Sequence, residues 1–259
     1  MKPIINNDGW KKAFELYKAT GKYGPPDELN MDIGDTRALF KAGRCGLIVE
    51  WGDPGTLQLD DDASAIKGKM YAISAVGSKE VLDRATGKLV PVSASTAPYA
   101  VDGINYAPFA AFGGWAGAVN KGADAKTKAA AYAFLSYMNQ AAQSGVDVTI
   151  GATGYNPYRT SQLASTDLWV KAGMPQALAD NYLGAINGAI NNLNMASDMK
   201  IPGAQKYTSV VLDTELARYL AGEITVDEAL ANIEEGWEEV TEDFGRDEQV
   251  ASQALALGL

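Results

Sequence analysis

The sequence predicts a helix-rich α/β protein with few strands. Three observations lead there. Apolar residues recur at helical spacing through most of the second half of the chain. Short apolar runs bounded by glycine and proline punctuate the first half. Helical stretches separate those runs, which favours parallel pairing. An α+β arrangement is the other form the same elements could take. With 259 residues, 47% of them hydrophobic, the chain can build one large domain or two small lobes with a real core.

The elements follow in order. Asp8 is a candidate N-cap, and Trp10, Phe14 and Tyr17 lie on one face of a helix that Tyr23-Gly24-Pro25-Pro26-Asp27 ends. A short helix from Asp35 turns Leu39 and Phe40 inward and stops at Gly43. Residues 46–50 read as a strand buried on both faces, broken by Trp51-Gly52-Asp53-Pro54-Gly55. Residues 69–76 read as a second strand, and Thr86-Gly87-Lys88 as a hairpin tip. Residues 112–120 read as a strand opened by Gly113-Gly114, then a helix capped by Asp124 with Ala131, Phe134, Leu135 and Met138 on one side. Further helices carry the stripes Leu178/Tyr182/Ile186/Ile190 and Leu212/Leu216/Tyr219/Leu220. Thr225 and Glu228 form a capping box for a helix bearing Ala229, Ile233, Trp237 and Val240. So few strands in so long a chain suggest that part of the sheet framework lies outside it.

Composition excludes several chemistries. The net charge is −10 and no Lys/Arg run offers a phosphate-binding stripe, so nucleic acid is not an expected partner. The absence of histidine removes Ser-His-Asp triads, Cys-His dyads and every histidine metal ligand. The single cysteine, Cys45, allows no intrachain disulfide and sits in an apolar run as a small hydrophobe. No metal or cofactor is expected. Asp60-Asp61-Asp62 lacks the glycine and distal glutamate of a calcium loop and reads as a solvated turn. Glu234-Glu235 and Glu238-Glu239 read as a solvated helix face. No run approaches the ~20 apolar residues of a membrane span, and the first eight residues turn polar too early for a signal peptide.

Three polar-aromatic loops are the candidate site. Glu50-Trp51-Gly52-Asp53 follows a predicted strand, where open α/β sheets place ligands. Gly113-Gly114-Trp115 sets an indole beside backbone that can approach closely. Tyr155-Asn156-Pro157-Tyr158-Arg159 adds two phenols and a guanidinium. Flat apolar faces beside planar hydrogen-bonding groups suit a pyranose. Trp51 and Trp115, flanked by glycine, are stacking candidates, whereas Trp10 and Trp237 on helical stripes are core. Glu50 with Asp53 would also serve as a glycosidase pair, at a spacing too common to identify one.

Residues 35–53, from Asp35-Thr36-Arg37 through Gly46-Leu47-Ile48-Val49-Glu50-Trp51-Gly52-Asp53, resemble a segment of bacterial extracellular solute-binding proteins. In that family a short helix, a glycine and a strand precede an aromatic ligand loop. Gly113-Gly114-Trp115-Ala116-Gly117 with the helix through Ala130–Leu135 is similar to a second signature of the family. Ile201-Pro202-Gly203-Ala204-Gln205-Lys206-Tyr207 and the run from Leu220 to Leu230 are similar to its C-terminal end. The sugar-binding, maltose-binding-protein-like type matches best, in order, along nearly the whole chain.

The resemblance implies a periplasmic-binding-protein-like fold: two lobes joined by a hinge, a solute closed between them, and delivery to an ABC transporter permease in the membrane. It implies that residues 1–111 belong to the C-terminal lobe, 112–165 cross to the N-terminal lobe and 166–259 return. It implies a periplasmic or extracellular protein whose N-terminal part, with its signal peptide and first strands, is not among these residues. Trp51 and Trp115 would stack on sugar rings, while Asp53, Arg159 and Tyr207 would bind hydroxyls. Glu50, Gly113, Gly114, Tyr155 and Tyr158 complete the expected ligand set. No catalytic residue is expected. The alternatives are a carbohydrate-active enzyme using Glu50 and Asp53, or the same fold with a polyamine, amino acid derivative or organic acid.

Overall fold

A computed structural model describes residues 2–59, 64–111 and 114–258. Phe112 and Gly113 of the expected third strand, and the Asp60-Asp61-Asp62 run, lie outside the described residues. The chain forms two compact units. Unit 1 contains residues 1–30, 76–110 and 196–259; unit 2 contains 31–75 and 111–195. This grouping differs from the division expected at 111/112 and 165/166. Residues 31–75 join the later segment because the 3-10 turn Asp53–Leu59 packs against the turn Gly151–Thr153. The side-chain amide of Asn181 also clasps the backbone of Ala72, at 2.7 Å to its N–H and 2.8 Å to its carbonyl.

Unit 1 is built on helices α1 (Asp8–Thr20), α8 (Asp213–Ala221), α9 (Val226–Phe244) and α10 (Arg246–Leu257). Asn7, one residue before the expected cap, accepts from the Trp10 N–H to start α1. The Thr225/Glu228 capping box closes as expected, with Thr225 Oγ1 accepting from the Glu228 N–H and Glu228 Oε2 from the Thr225 N–H at 2.8 Å. Ala229, Leu230, Ile233, Trp237 and Val240 then fall on one side of α9 and form a core with Ile5, Phe14 and Tyr219. Trp10 and Trp237 meet edge to face at 6.1 Å, the core placement their helical spacing predicts. The expected hairpin forms: β1 (Glu80–Asp83) pairs antiparallel with β2 (Lys88–Pro91). A two-residue parallel pair joins β3 (Phe109–Ala110) to β4 (Ala196–Ser197), where the chain leaves and re-enters the unit.

Unit 2 holds α2 (Ile33–Lys41), α3 (Ala125–Met138), α4 (Ala141–Asp147), α5 (Thr160–Leu163), α6 (Asp167–Lys171) and α7 (Gln176–Ile190). Asp32 caps α2, with Asp35 at its third position completing a capping box, so the helix begins before the expected Asp35. Asp124 caps α3 as expected. One core gathers Val148, Trp169, Met174, Ala179, Tyr182 and Leu183. A smaller one gathers Phe40, Leu57 and Ile66, with Cys45 half-buried against it.

The strands expected at 46–50, 69–76 and 112–120 form no ladder in the described residues. Their chains are irregular; Ile48 and Met70 pack against the Phe40/Leu57/Ile66 core, while other apolar side chains stay in the open, Val49 90% exposed and Trp115 81%. Of the inward stripe expected on α3, Ala131, Leu135 and Met138 are half-buried and Phe134 is 62% exposed, so no residue of the helix is fully buried. A strand needs a neighbour for its backbone groups, and none of these runs has one within the described residues. The chain is therefore helix-rich with small sheets. None of its described helices is long and apolar enough to cross a membrane.

Candidate functional site

A charged cluster lies in unit 2, where α2, the run 46–50 and the 3-10 turn Asp53–Leu59 meet. Arg37 projects from the middle of α2. Its Nε donates to both oxygens of Glu50, at 3.0 and 2.9 Å, and its Nη2 donates to Glu50 Oε1. The same Nη2 stands 2.8 Å from Asp53 Oδ2. This ion-pair contact is poorly aligned, and neither carboxylate oxygen of Asp53 accepts a hydrogen bond within the described residues. One guanidinium thus serves two carboxylates, and Glu50 takes its forked face. The hydrogen bonds that Arg37 donates to Glu50 are the chief reason its guanidinium holds its proton even more firmly than usual.

Asp53 is 1% exposed. Burial pushes its carboxyl above the usual range; the Arg37 charge opposes that push and Glu50 adds to it. In the same turn the Tyr182 ring packs against Gly55, where a methyl group would fall 2.2 Å from Tyr182 Cε2, so the turn requires glycine there. The Tyr182 hydroxyl is buried without a hydrogen-bond partner. Burial raises its pKa strongly, with the Asp53 charge contributing. Gly154, in the left-handed conformation at φ 70°, carries the 151–155 loop past Arg37 and Asp53. Gly52 packs against Asn156 and Ile186.

Trp51 is half-buried, with the Arg37 guanidinium 5.9 Å from its ring centre. Glu50, Trp51 and Asp53, chosen from the sequence, therefore come together, and Tyr155 extends from the adjoining loop, partly exposed. Sequence reading missed Arg37 and Tyr182. Arg37 stands in the same quoted segment, but no spacing rule ties a helical arginine to a carboxylate thirteen residues on. Tyr182 was assigned to a core stripe, which is correct for its ring and silent about its hydroxyl.

Other expected contacts are placed elsewhere. The Arg159 guanidinium donates from Nε to Ser144 at 3.2 Å and from Nη2 to the carbonyl of Asn139, the C-cap of α3. It also lies 5.5 Å from the centre of the exposed Tyr158 ring. Its donors tie helix ends together. Gly114 and Trp115 sit in the exposed run 114–120, and Trp115 has no hydrogen bond or ring contact among the described residues. Gly113 lies outside the described residues.

Tyr207 is a correction. It is buried in the unit 1 core, its hydroxyl 2.7 Å from Thr241 Oγ1 and 2.9 Å from Gln249 Nε2, and its carbonyl accepts from Trp237 Nε1 at 2.8 Å. These bonds hold the Tyr207 phenol within the core, apart from the Arg37–Glu50–Asp53 residues of unit 2. No group of three or more Asp, Glu or Cys side chains among the described residues is placed to hold a metal ion.

No protein-family profile matches the sequence, and no curated protein is detectably similar to it.

Proposed function

We propose that this chain is a non-catalytic binding module of the solute-binding-protein type, with a periplasmic-binding-protein-like fold. In this reading it holds a sugar or sugar-like solute for an ABC transporter permease outside the cytoplasm. The observation that carries the reading is the half-buried Trp51 indole set beside the Arg37–Glu50–Asp53 cluster. A flat apolar face next to fixed, planar hydrogen-bonding groups is what a pyranose requires. The ordered motifs along the chain support the same reading, as does a chain that passes repeatedly between two compact units.

The arrangement favours binding over glycoside hydrolysis. A glycosidase needs one carboxyl free to protonate the leaving group and another free to attack or to activate water. Here Arg37 clasps both Glu50 oxygens, so the second free carboxyl that such a pair needs is missing. Titration calorimetry of the chain with a panel of mono- and disaccharides tests the proposal. At least one should bind, and Trp51→Ala should weaken it by roughly fivefold or more, the loss of ~1 kcal/mol of stacking. Turnover of an aryl glycoside that vanishes in Glu50→Gln would replace this reading with an enzymatic one.

A further inference from the structure

Among the described residues, the Arg37–Glu50–Asp53 cluster carries one more negative charge than positive. Glu50 and Asp53 contribute two negative charges and Arg37 one positive. Arg37 gives its aligned hydrogen bonds to Glu50, leaving Asp53 a single misaligned contact and two buried oxygens that accept nothing. The nearby Tyr182 hydroxyl is likewise buried and unpartnered. A buried carboxylate without hydrogen bonds is costly, and such sites usually compensate with a counter-charge. The cluster also reaches the surface on one side, because the side chains of Arg37 and Glu50 are 17% and 12% exposed. A small cation arriving there would reach the covered Asp53 oxygens by displacing their contact with Arg37.

We propose that Asp53 is the receptor for a protonated primary amine on the bound solute, so that the preferred ligand is an amino sugar or a comparably small amine rather than a neutral sugar. This rests on the solute-binding reading above and narrows its ligand class. The ammonium supplies three donors, and the Asp53 carboxylate offers two oxygens that accept no aligned hydrogen bond among the described residues. The misaligned Arg37–Asp53 contact is the one the ammonium displaces, and Arg37 keeps its fork on Glu50. A neutral hydroxyl at the same place would leave the surplus charge uncompensated.

Calorimetry on the full chain with glucose, glucosamine, N-acetylglucosamine and 1,4-diaminobutane decides the matter, at a pH where the amines are protonated. Glucosamine should bind at least about tenfold tighter than glucose, a charge-assisted contact being stronger than a neutral one. N-acetylglucosamine, which keeps the ring but loses the charge, should fall back to the glucose level. In Asp53→Asn, checked for folding by circular dichroism, the gap should close. If that variant does not fold, the glucosamine to N-acetylglucosamine comparison on the unaltered chain decides alone. Equal binding of glucose and glucosamine would overturn the amine inference and leave the sugar-binding reading standing, as would a gap that persists in Asp53→Asn. Binding of 1,4-diaminobutane with neither sugar would support the amine receptor and overturn the sugar reading. No binding by any of the four would overturn both.

Discussion

Asp53 is held where its charge is disfavoured: enclosed, next to Glu50, and reached by only one misaligned contact from Arg37. Its pKa in the folded chain lies above the ordinary carboxylate value because burial outweighs the Arg37 attraction. The sign of the consequence is fixed by linkage. A carboxyl that holds its proton more firmly when folded stabilises the fold fully below its unfolded pKa. That contribution disappears as the pH rises through the higher folded pKa. Asp53→Asn removes the titration and keeps the shape. Relative to the parent chain, its thermal midpoint should therefore rise as the pH climbs from the acid range to neutrality. A difference between the two that stays constant with pH would show that Asp53 is ionised without penalty. At this scale the sequence was informative about the acidic and aromatic members, Glu50, Trp51 and Asp53, because they are adjacent in the chain. It could not show Arg37 as their partner or Tyr207 as core, since both facts depend on contacts between segments far apart or on a face that periodicity leaves open.

The helices were legible wherever a local signal set them. The Thr225/Glu228 box, the Asp124 cap and the apolar stripe of α9 each depend on residues only a few turns apart in their own helix, and each forms as read. The hairpin at Thr86-Gly87-Lys88 belongs with them, because a tight turn fixes its own register. The strands at 46–50, 69–76 and 112–120 were read from apolar runs alone, and a run of β-formers is not a strand until another chain segment accepts its hydrogen bonds. The α9 cap gives a direct test of how far a local device governs the larger element. Thr225→Ala removes the acceptor for the Glu228 N–H and uncouples the reciprocal bond. It should lower stability by about 1 kcal/mol, read from the shift of the urea midpoint at unchanged slope. No measurable shift would mean that α9 is held by its Trp237 face alone.

At the scale of the whole molecule, ordered backbone is unevenly distributed. Unit 1 concentrates its contacts around α9, whose inner face is buried along most of its length. In unit 2 the runs 46–50 and 114–119 have no backbone hydrogen bonds among the described residues, and within 70–76 only Ala72 is held, by the amide of Asn181. These runs carry Leu47, Val49, Tyr71, Ile73 and Trp115 into solvent. Amide protection follows hydrogen bonding and local stability rather than hydrophobicity. Hydrogen–deuterium exchange on the full chain should thus show residues 46–50 and 114–119 exchanging like unstructured peptide, while the amides of α9 exchange slowest. Ala72 should be protected relative to its neighbours and should lose that protection in Asn181→Ala, since its N–H has no other acceptor among the described residues. Slow exchange across 46–50 or 114–119 would mean that these runs pair in solution with strands outside the contacts described. Their apolar patterning would then be the imprint of a sheet to which they contribute only some of the strands.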